Sequence, residues 1–276
     1  MENGIVKIDV RQVLRQKAPN VNVPEFVVRY LRKILHEDEM NIFLREHEGE
    51  TGYLFLDHVI HDLLGCSAEL YGVENIPTGD APVVFASTHP LGGLDGMINA
   101  MLLHQFRKRE LKIIVTDFLM FMTPLKDLFV PVNKVGTQSR EYVMRQHEMW
   151  ESGCDVLSFP AGKCARLEKK SAFGRALVTE QTWHKSIIQK AVQYKRDIVP
   201  IRFEGENTSF FYNLAYWRTK LGIKFNIEML YLADEMFKSH GKTFSVHILP
   251  AVSWRTFDDS HTLQQWAEIL REKTIS

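Results

Sequence analysis

Apolar residues recur every three or four positions in a segment near the start of the chain. They stand at Val23, Phe26, Val27, Tyr30, Leu31, Ile34 and Leu35. This spacing predicts an amphipathic helix that begins near Pro24. The other face carries Glu25, Arg29, Arg32 and Lys33. We favour a helix that packs on the domain, because amphipathic helices are ordinary core elements. The alternative is a helix in the lipid headgroup layer, with its basic residues facing anionic lipid.

From Leu70 to Leu249, short apolar runs alternate with segments of helical period. The runs typical of strands are 69–75, 82–86, 112–116, 128–132, 155–159, 197–203 and 243–249. Helices are predicted over 38–48, 53–64, 95–109, 138–150, 182–194, 210–220 and 225–238, with a last one capped by 258–260 and ending near 273. The alternation predicts an α/β fold in which helices flank a mostly parallel central sheet. We divide the chain into a helical N-terminal extension, residues 1–66, and one domain, residues 67–276.

Composition and charge exclude some classes of protein. Of the 276 residues, 45% are hydrophobic and 25% are charged, which is ordinary for a folded globular chain. Lysine and arginine together number 34 and so do the acidic residues, so the net charge is zero. A nucleic-acid-binding protein would normally be basic, so the overall charge argues against that class.

Three cysteines, Cys66, Cys154 and Cys164, are too few and too far apart for a disulfide framework or a zinc ribbon. They are typical of free thiols in a reducing compartment. The first residues lack the apolar stretch of a signal peptide, and no segment approaches the roughly 18 apolar residues of a membrane span. We therefore expect a cytoplasmic protein that can still touch a membrane from one side.

The segment between the strand 82–86 and the next helix carries candidate chemistry. His89 follows the strand, Asp95 stands at the start of the helix, and glycines lie between them. A histidine suits proton transfer near neutral pH, and a carboxylate bonded to it fixes its tautomer. No Gly-x-Ser-x-Gly motif supplies a nucleophile, so the pair suits a reaction in which the substrate brings the hydroxyl group. On spacing alone, we prefer the alternative that Asp95 only caps the helix and His89 is an ordinary loop residue.

Several blocks, taken in order, resemble the glycerolipid (PlsC-type) acyltransferase superfamily over roughly residues 70–250. His89-Pro90-Leu91-Gly92-Gly93-Leu94-Asp95 resembles its His-x4-Asp block, and Ser158-Phe159-Pro160-Ala161-Gly162-Lys163 its Phe-Pro-Glu-Gly block. Ile198-Val199-Pro200-Ile201 resembles its Val-Pro strand, and Lys134 falls where a strand ends in a basic residue. The resemblance implies acyl transfer from a thioester of acyl carrier protein or coenzyme A. It implies His89 as general base and Asp95 as its orienting partner, with no metal or redox cofactor. Backbone N–H groups around Gly92, Gly93 or Gly162 are the candidate oxyanion donors.

Two departures change the expected acceptor. The spacing is His-x5-Asp, one residue longer than usual, and Ala161 replaces the usual glutamate with no Thr-Arg-Ser after Gly162. In the family those residues help to hold an acceptor phosphate. The residues of these two blocks are most similar to those of the haemolysin-like branch, which includes bacterial O-acyltransferases that make ornithine or glycine lipids. We expect such a lyso-lipid acceptor at the inner membrane surface. Lysophosphatidate acylation is the alternative within enzymes, and a non-catalytic, peripheral lipid-binding protein is the alternative outside them.

Basic residues follow the Phe159-Pro160 block. Between 163 and 175 stand Lys163, Arg166, Lys169, Lys170 and Arg175, against one acid, Glu168. In open α/β sheets, ligands bind outside the carboxyl ends of the strands. We therefore expect Lys163 and Arg166 to hold an anionic group of the acceptor and the distal cations to attract the donor's carrier.

Two further segments remain open to interpretation. The apolar stretch 118–125 is either buried core or part of an acyl-chain groove, since methionine and phenylalanine line adaptable surfaces. His58 and His61 stand three apart, as metal ligands can, beside Asp57 and Asp62. With no third ligand visible, we interpret them as a solvated helix face and predict no metal site.

Overall fold

The centre of the molecule is a seven-stranded sheet. The computed structural model describes residues 7–17, 22–132, 139–170, 176–223 and 226–276. Its strands are β1 (Ser67–Tyr71), β2 (Val84–Ser87), β3 (Leu111–Thr116), β4 (Phe129–Val132), β5 (Asp155–Ser158), β6 (Arg166–Lys170), β7 (Ala176–Thr179), β8 (Ile198–Glu204) and β9 (Thr243–Ile248). The central order is β1-β9-β8-β2-β5-β3-β4, and only the β8–β9 pairing is antiparallel. The predicted α/β fold with a mostly parallel central sheet is confirmed.

Helices cover both faces of this sheet. In the described ranges they are α1 (Val10–Lys17), α2 (Glu25–Ile34), α3 (Glu37–Glu46), α4 (Gly52–His58), α5 (Leu94–Arg107), α6 (Arg140–Glu151), α7 (Ser186–Tyr194), α8 (Ser209–Lys220), α9 (Leu232–Lys238) and α10 (Leu263–Ile275). The inner strands are buried on both faces, as parallel strands usually are. In β2, Phe85 packs into the apolar core beneath α4 and α5, whereas Val84 and Ala86 pack into the core beneath α6, α7 and α10.

Several helix boundaries differ from the predicted ones. The helix predicted to end at 64 continues beyond α4 as a π-helical turn, Val59–Leu63. The last helix is capped by Thr262 rather than by 258–260 and begins at Leu263, because Thr262 and Gln265 form a reciprocal capping box. The stretch 225–238 is divided into a 3₁₀ turn, Ile227–Tyr231, and α9, while residue 225 lies outside the described residues.

A small hairpin was missed altogether. Strands β6 and β7 pair antiparallel, apart from the central sheet. The sequence 166–170 is rich in basic residues, which hid the strand pattern, because side-chain charge carries no information on long-range pairing.

The N-terminal helices share a core with the sheet. Phe43, Phe55 and Ile60 belong to the same buried cluster as Phe85 and Val199. The division after residue 66 stays a prediction, and the packing across it is continuous.

The arrangement of β2 between β5 and β8 positions the site. All three strands run parallel, so their carboxyl ends meet at one edge of the sheet. Just beyond β2, Thr88 Oγ1 accepts a hydrogen bond of 2.9 Å from the backbone N–H of Phe203 in β8. The residues that follow β2 and β5 therefore emerge side by side on a rigid base.

A buried ion pair anchors the opposite edge. Asp155 begins β5 with no exposed surface, and its carboxylate accepts from Arg107 Nε at 2.9 Å and from the backbone N–H of Val83 at 2.9 Å. Arg107 also donates to the carbonyl groups of Pro77 and Ala81 in the turn before β2. The pair therefore joins β2, β5 and the end of α5.

We expect Asp155→Ala to lower the free energy of unfolding by about 3–5 kcal/mol, because it leaves Arg107 as an unpaired buried charge. Urea denaturation at neutral pH measures this loss. Asp80→Ala is the matched control, since Asp80 is fully exposed and lies 3.5 Å from Arg109. A similar, small effect for both variants would contradict the anchoring role of the buried pair.

Candidate active site

His89 and Asp95 meet at the carboxyl edge of the sheet. His89 Nδ1 lies 3.0 Å from Asp95 Oδ2. The Asp95 side chain has no exposed surface, whereas the His89 side chain is 16% exposed. The bond to Nδ1 leaves Nε2 as the ring atom available to a substrate proton. The pairing predicted from the sequence is therefore present, although the loop is one residue longer than the usual block.

The extra residue is accommodated by a loop that closes onto the Asp95 carboxylate. Oδ2 also accepts from the N–H groups of Leu91 at 3.0 Å and Gly92 at 3.2 Å, and Oδ1 accepts from Gly96 N–H at 2.8 Å. Gly92 has a φ of +83°, and a Cβ there would meet Leu232 and Cys164 at 3.1–3.2 Å. Only glycine suits this conformation and this space. The N-cap of α5 is Gly93 and Asp95 is the second residue of the helix, so the capping alternative is wrong, and the Asp95 carboxylate instead holds His89 and its loop.

The surroundings of Asp95 keep it ionised. Burial alone would raise its pKa, but the His89 ring and the N–H groups of Leu91 and Gly92 outweigh burial and hold the pKa below its ordinary value. A buried carboxylate that stays charged can stabilise an imidazolium when His89 accepts a proton.

The loop after β5 forms one wall of the site. The Phe159 ring packs against the His89 ring with their centroids 4.2 Å apart. Pro160 is buried, and the Gly162 N–H donates to the Phe159 carbonyl at 2.8 Å, which closes a tight turn. The sequence block Phe159-Pro160-Ala161-Gly162 therefore lies beside His89, as predicted.

Asn207 and Glu180 also support the His89 loop, and the sequence did not single out either residue. Asn207 Nδ2 donates to the Leu91 carbonyl at 3.2 Å. Glu180 accepts the His89 backbone N–H at 3.0 Å and Trp183 Nε1 at 3.0 Å. Burial raises the pKa of Glu180 even though both hydrogen bonds lower it. Glu180 follows β7, so its approach to His89 depends on the hairpin that the sequence pattern did not reveal.

Lys163 and Arg166, the two cations predicted to hold the acceptor, differ in their surroundings. Lys163 is exposed next to Gly162. The Arg166 guanidinium instead lies 3.1 Å from Glu228, a fully buried carboxylate that Arg218 approaches at 2.8 Å from the other side. Arg166 is therefore paired within the protein, and its role in holding the acceptor's anionic group stays a prediction. Lys134 and Arg175 lie outside the described residues.

Two positions in and just after the Phe159–Gly162 turn carry small buried side chains. Ala161 is 1% exposed and Cys164 is fully buried. Burial raises the pKa of the Cys164 thiol despite the nearby Arg166 guanidinium. The three cysteines are all buried and free of disulfide bonds.

The apolar stretch 118–125 forms two short 3₁₀ turns. Pro124 and Leu125 are buried, and Leu119 and Met122 pack on the core beneath α4 and α5. Much of the stretch is therefore core, and its role in an acyl-chain groove stays a prediction.

A comparison with protein families shows the family of the chain. Residues 12–276 match the family described as Acyltransferase. The chain belongs to this family. It is an enzyme that transfers acyl groups, as predicted from its resemblance to the PlsC-type superfamily.

Two bacterial relatives align over nearly their whole length with this acyltransferase. It is 41% identical to the lyso-glycine lipid O-acyltransferase of Bacteroides thetaiotaomicron over 98% of this chain and 97% of the relative. It is 38% identical to the protein of the same name from Phocaeicola vulgatus over 98% of this chain and 95% of the relative. Among solved structures, the 1-acyl-sn-glycerophosphate acyltransferase PlsC of Thermotoga maritima covers 95% of this chain and 86% of its own, at 14% identity and a TM-score of 0.42. That score is too low to carry an argument.

Asp95→Asn should make the free energy of unfolding fall less steeply as the pH is lowered. Because the pKa of Asp95 is lower in the folded protein than its ordinary value of 3.8, the unfolded chain takes up the proton first as the pH falls. The stability that Asp95 contributes is thus present above that value and lost below it. Urea unfolding at several pH values between about 3 and 6 measures the slope.

Asp259→Asn is the charge-matched control, since Asp259 is exposed in the loop before α10. The control should keep the slope of the parent protein. An Asp95→Asn variant with the same acid slope as the parent would contradict the buried, ionised state of Asp95.

Proposed function

We propose that this acyltransferase moves a fatty acyl group from an acyl thioester to the hydroxyl group of a lyso-amino-acid lipid, with lyso-glycine lipid as the first acceptor to test. The observation that carries the proposal is the His89–Asp95 pair, which opens onto the carboxyl edge of the sheet without a protein nucleophile in the motif. The relatives named for lyso-glycine lipid acylation align over almost the entire chain, which supports the choice of acceptor.

The geometry supports direct transfer. His89 Nε2 takes the proton of the acceptor hydroxyl as its oxygen attacks the thioester carbonyl. Asp95 stabilises the imidazolium that forms, because its carboxylate is already ionised and bonded to Nδ1. The tetrahedral intermediate then collapses, the C–S bond breaks, and His89 returns the proton to the leaving thiolate. The products are an ester and a free thiol, and the proposed steps use neither a redox cofactor nor a metal at the reacting atoms.

Gly93 is the strongest candidate oxyanion donor among the three glycines. The Gly92 N–H is bonded to Asp95 and the Gly162 N–H to the Phe159 carbonyl. Gly93 is the N-cap of α5, so its N–H group belongs to the positive end of a helix, where developing negative charge is stabilised.

Lys163 is the candidate for holding the acceptor's anionic head. It is exposed and follows the turn whose Phe159 packs on His89, whereas Arg166 is paired with Glu228. An amino-acid head offers a carboxylate, for which one flexible ammonium group is a suitable partner. The donor is a thioester of acyl carrier protein or coenzyme A. Both carriers are acidic, so the basic residues that follow Lys163 in the sequence suit either one.

We expect purified enzyme to acylate lyso-glycine lipid at least tenfold faster than lysophosphatidate with the same donor. Lys163→Ala should raise the KM for lyso-glycine lipid several-fold because a charge-assisted contact is lost. Radiolabelled acyl transfer from acyl carrier protein and from coenzyme A, measured separately, gives both parameters and the donor preference.

Lys126→Ala is the matched control, because Lys126 is exposed before β4, at the opposite edge of the sheet. His89→Ala sets the background, since it removes the general base. Preference for lysophosphatidate would refute the proposed acceptor. Transfer by His89→Ala at the parent rate would refute the mechanism.

Exposed aromatic side chains support a peripheral position at a membrane. None of the described helices has the length and apolarity to cross a bilayer. On α2, Phe26 is 74% exposed, and Tyr30 contacts Tyr231, which in turn contacts Phe210 at the start of α8. Along α8, Phe210, Trp217 and Leu221 fall on one stripe, and the last two are 61% and 72% exposed.

Charge around this aromatic surface suits an anionic bilayer. Arg29 and Lys33 are exposed on α2, and Lys220 is exposed at the end of α8. We propose that α2 and α8 rest together in the headgroup layer of the cytoplasmic membrane face, so that the active site meets its lipid acceptor there.

Substituting Phe26 and Trp217 together by serine should lower the partition coefficient onto vesicles of mixed anionic and zwitterionic phospholipid by at least tenfold, because two large apolar side chains leave the interface. Vesicle sedimentation measures the partition. Phe106→Ser is the control, since Phe106 is 42% exposed at the far end of α5. Unchanged binding of the double variant would exclude this surface as the membrane contact.

A further inference from the structure

A histidine-rich cluster lies among the N-terminal helices, outside the active site. It comprises His47 after α3, Glu50 in the following turn, His58 at the end of α4 and Asp62 in the π-helical turn. One ligand atom from each of His47, His58 and Asp62 can be chosen so that all three lie within 4.8 Å of one another. His47, which the sequence pattern did not associate with His58, supplies a further ligand that was not visible near His58 in the sequence.

Glu50 orients both imidazole rings. A single carboxylate oxygen, Oε2, lies 3.0 Å from His47 Nδ1 and 2.6 Å from His58 Nδ1. When each Nδ1 carries a proton, it donates a hydrogen bond to Glu50, and each Nε2 keeps a free lone pair. This is the arrangement by which a carboxylate behind a histidine prepares it to bind a metal ion.

Asp62 completes the cluster from the solvent side. His58 Nε2 lies 4.0 Å from Asp62 Oδ2, and the Asp62 side chain is 61% exposed, which leaves an entry path. The two histidine side chains are only 18% and 27% exposed, so their rings are held by packing. The π-helical turn Val59–Leu63 is an unusual conformation that recurs at functional sites in proteins.

His61 lies on the same stretch of chain but does not belong to the cluster. It stands three residues after His58, yet its Nδ1 pairs with Asp57 at 2.9 Å and its side chain is 53% exposed. The two histidines that the spacing joined are therefore divided between different carboxylates.

We propose that His47, His58 and Asp62 bind one divalent transition-metal ion of the Zn²⁺ class, with Glu50 as the carboxylate that orients both histidines. Two imidazole nitrogens and one carboxylate oxygen suit Zn²⁺, and water completes a tetrahedral set. Ligand atoms in such a set are about 3.3 Å apart, given bonds of about 2.0–2.1 Å. The exposed Asp62 side chain therefore moves closer to the two imidazole rings when the ion binds. The ion ties the end of α3 to α4 and its π-helical turn.

The test uses the full-length protein without an affinity tag, stripped by a chelator and titrated with ZnCl₂ against a chromophoric competitor. The parent and His61→Ala should each bind one Zn²⁺ with the same affinity, and Zn²⁺ should raise their melting temperatures. His47→Ala and His58→Ala should lose at least a hundredfold in affinity and the thermal shift. Glu50→Gln should lose about ten- to a hundredfold.

Asp62→Asn keeps the test decisive if a histidine variant fails to fold, because Asp62 is exposed. It should lose at least tenfold in affinity while the circular dichroism spectrum and the acyl-transfer rate without zinc stay those of the parent. Absence of saturable zinc binding by the parent would overturn the proposal. So would equal binding by Asp62→Asn, or a loss in His61→Ala as large as that in His58→Ala.

Discussion

The geometry of the candidate active site depends on one buried carboxylate. Asp95 has no contact with solvent, yet it is held ionised by His89 and by the N–H groups of its own loop. Burying a charge without partners would be costly, so those bonds have to form together. The loop between the two residues therefore has little freedom, and His89 is left with one ring nitrogen directed to its acidic partner and one for chemistry.

The sheet makes this constraint possible. Three parallel strands, β2, β5 and β8, end side by side, and each contributes to the same few ångströms of space. β2 delivers His89, the loop after β5 places Phe159 against its ring, and the loop after β8 places Asn207 beneath the Leu91 carbonyl. Glu180 reaches the His89 backbone from the separate hairpin. The site is thus assembled from four loops, and each loop follows the end of a hydrogen-bonded strand.

The charged residues near the candidate site bear on the proposed acceptor. Buried Ala161 and Cys164 offer no ion-pairing group, and Arg166 and Arg218 both pair with Glu228 inside the protein. Lys163, which follows the turn after β5, is an exposed cation. One ammonium group suits a carboxylate head better than a doubly charged phosphate, which usually recruits several donors. The proposed amino-acid-lipid acceptor is consistent with that balance.

The fold class could be predicted because alternating strand and helix patterns along the chain predict a parallel sheet. Spacing alone favoured a helix cap for Asp95, and the His89–Asp95 pair was predicted from the resemblance of its block to that of an acyltransferase superfamily. Neither the periodicity nor the motif required knowledge of long-range contacts.

Tertiary structure decided what depends on long-range contacts. The β6–β7 hairpin, the approach of Glu180 to His89, and the capture of Arg166 by Glu228 each join residues far apart in the chain. The same is true on a smaller scale of Glu50, which turns His47 and His58 towards each other while His61 faces Asp57. A side chain's partner is chosen by packing and by the need to satisfy buried polar groups, and neither can be calculated from its neighbours in sequence.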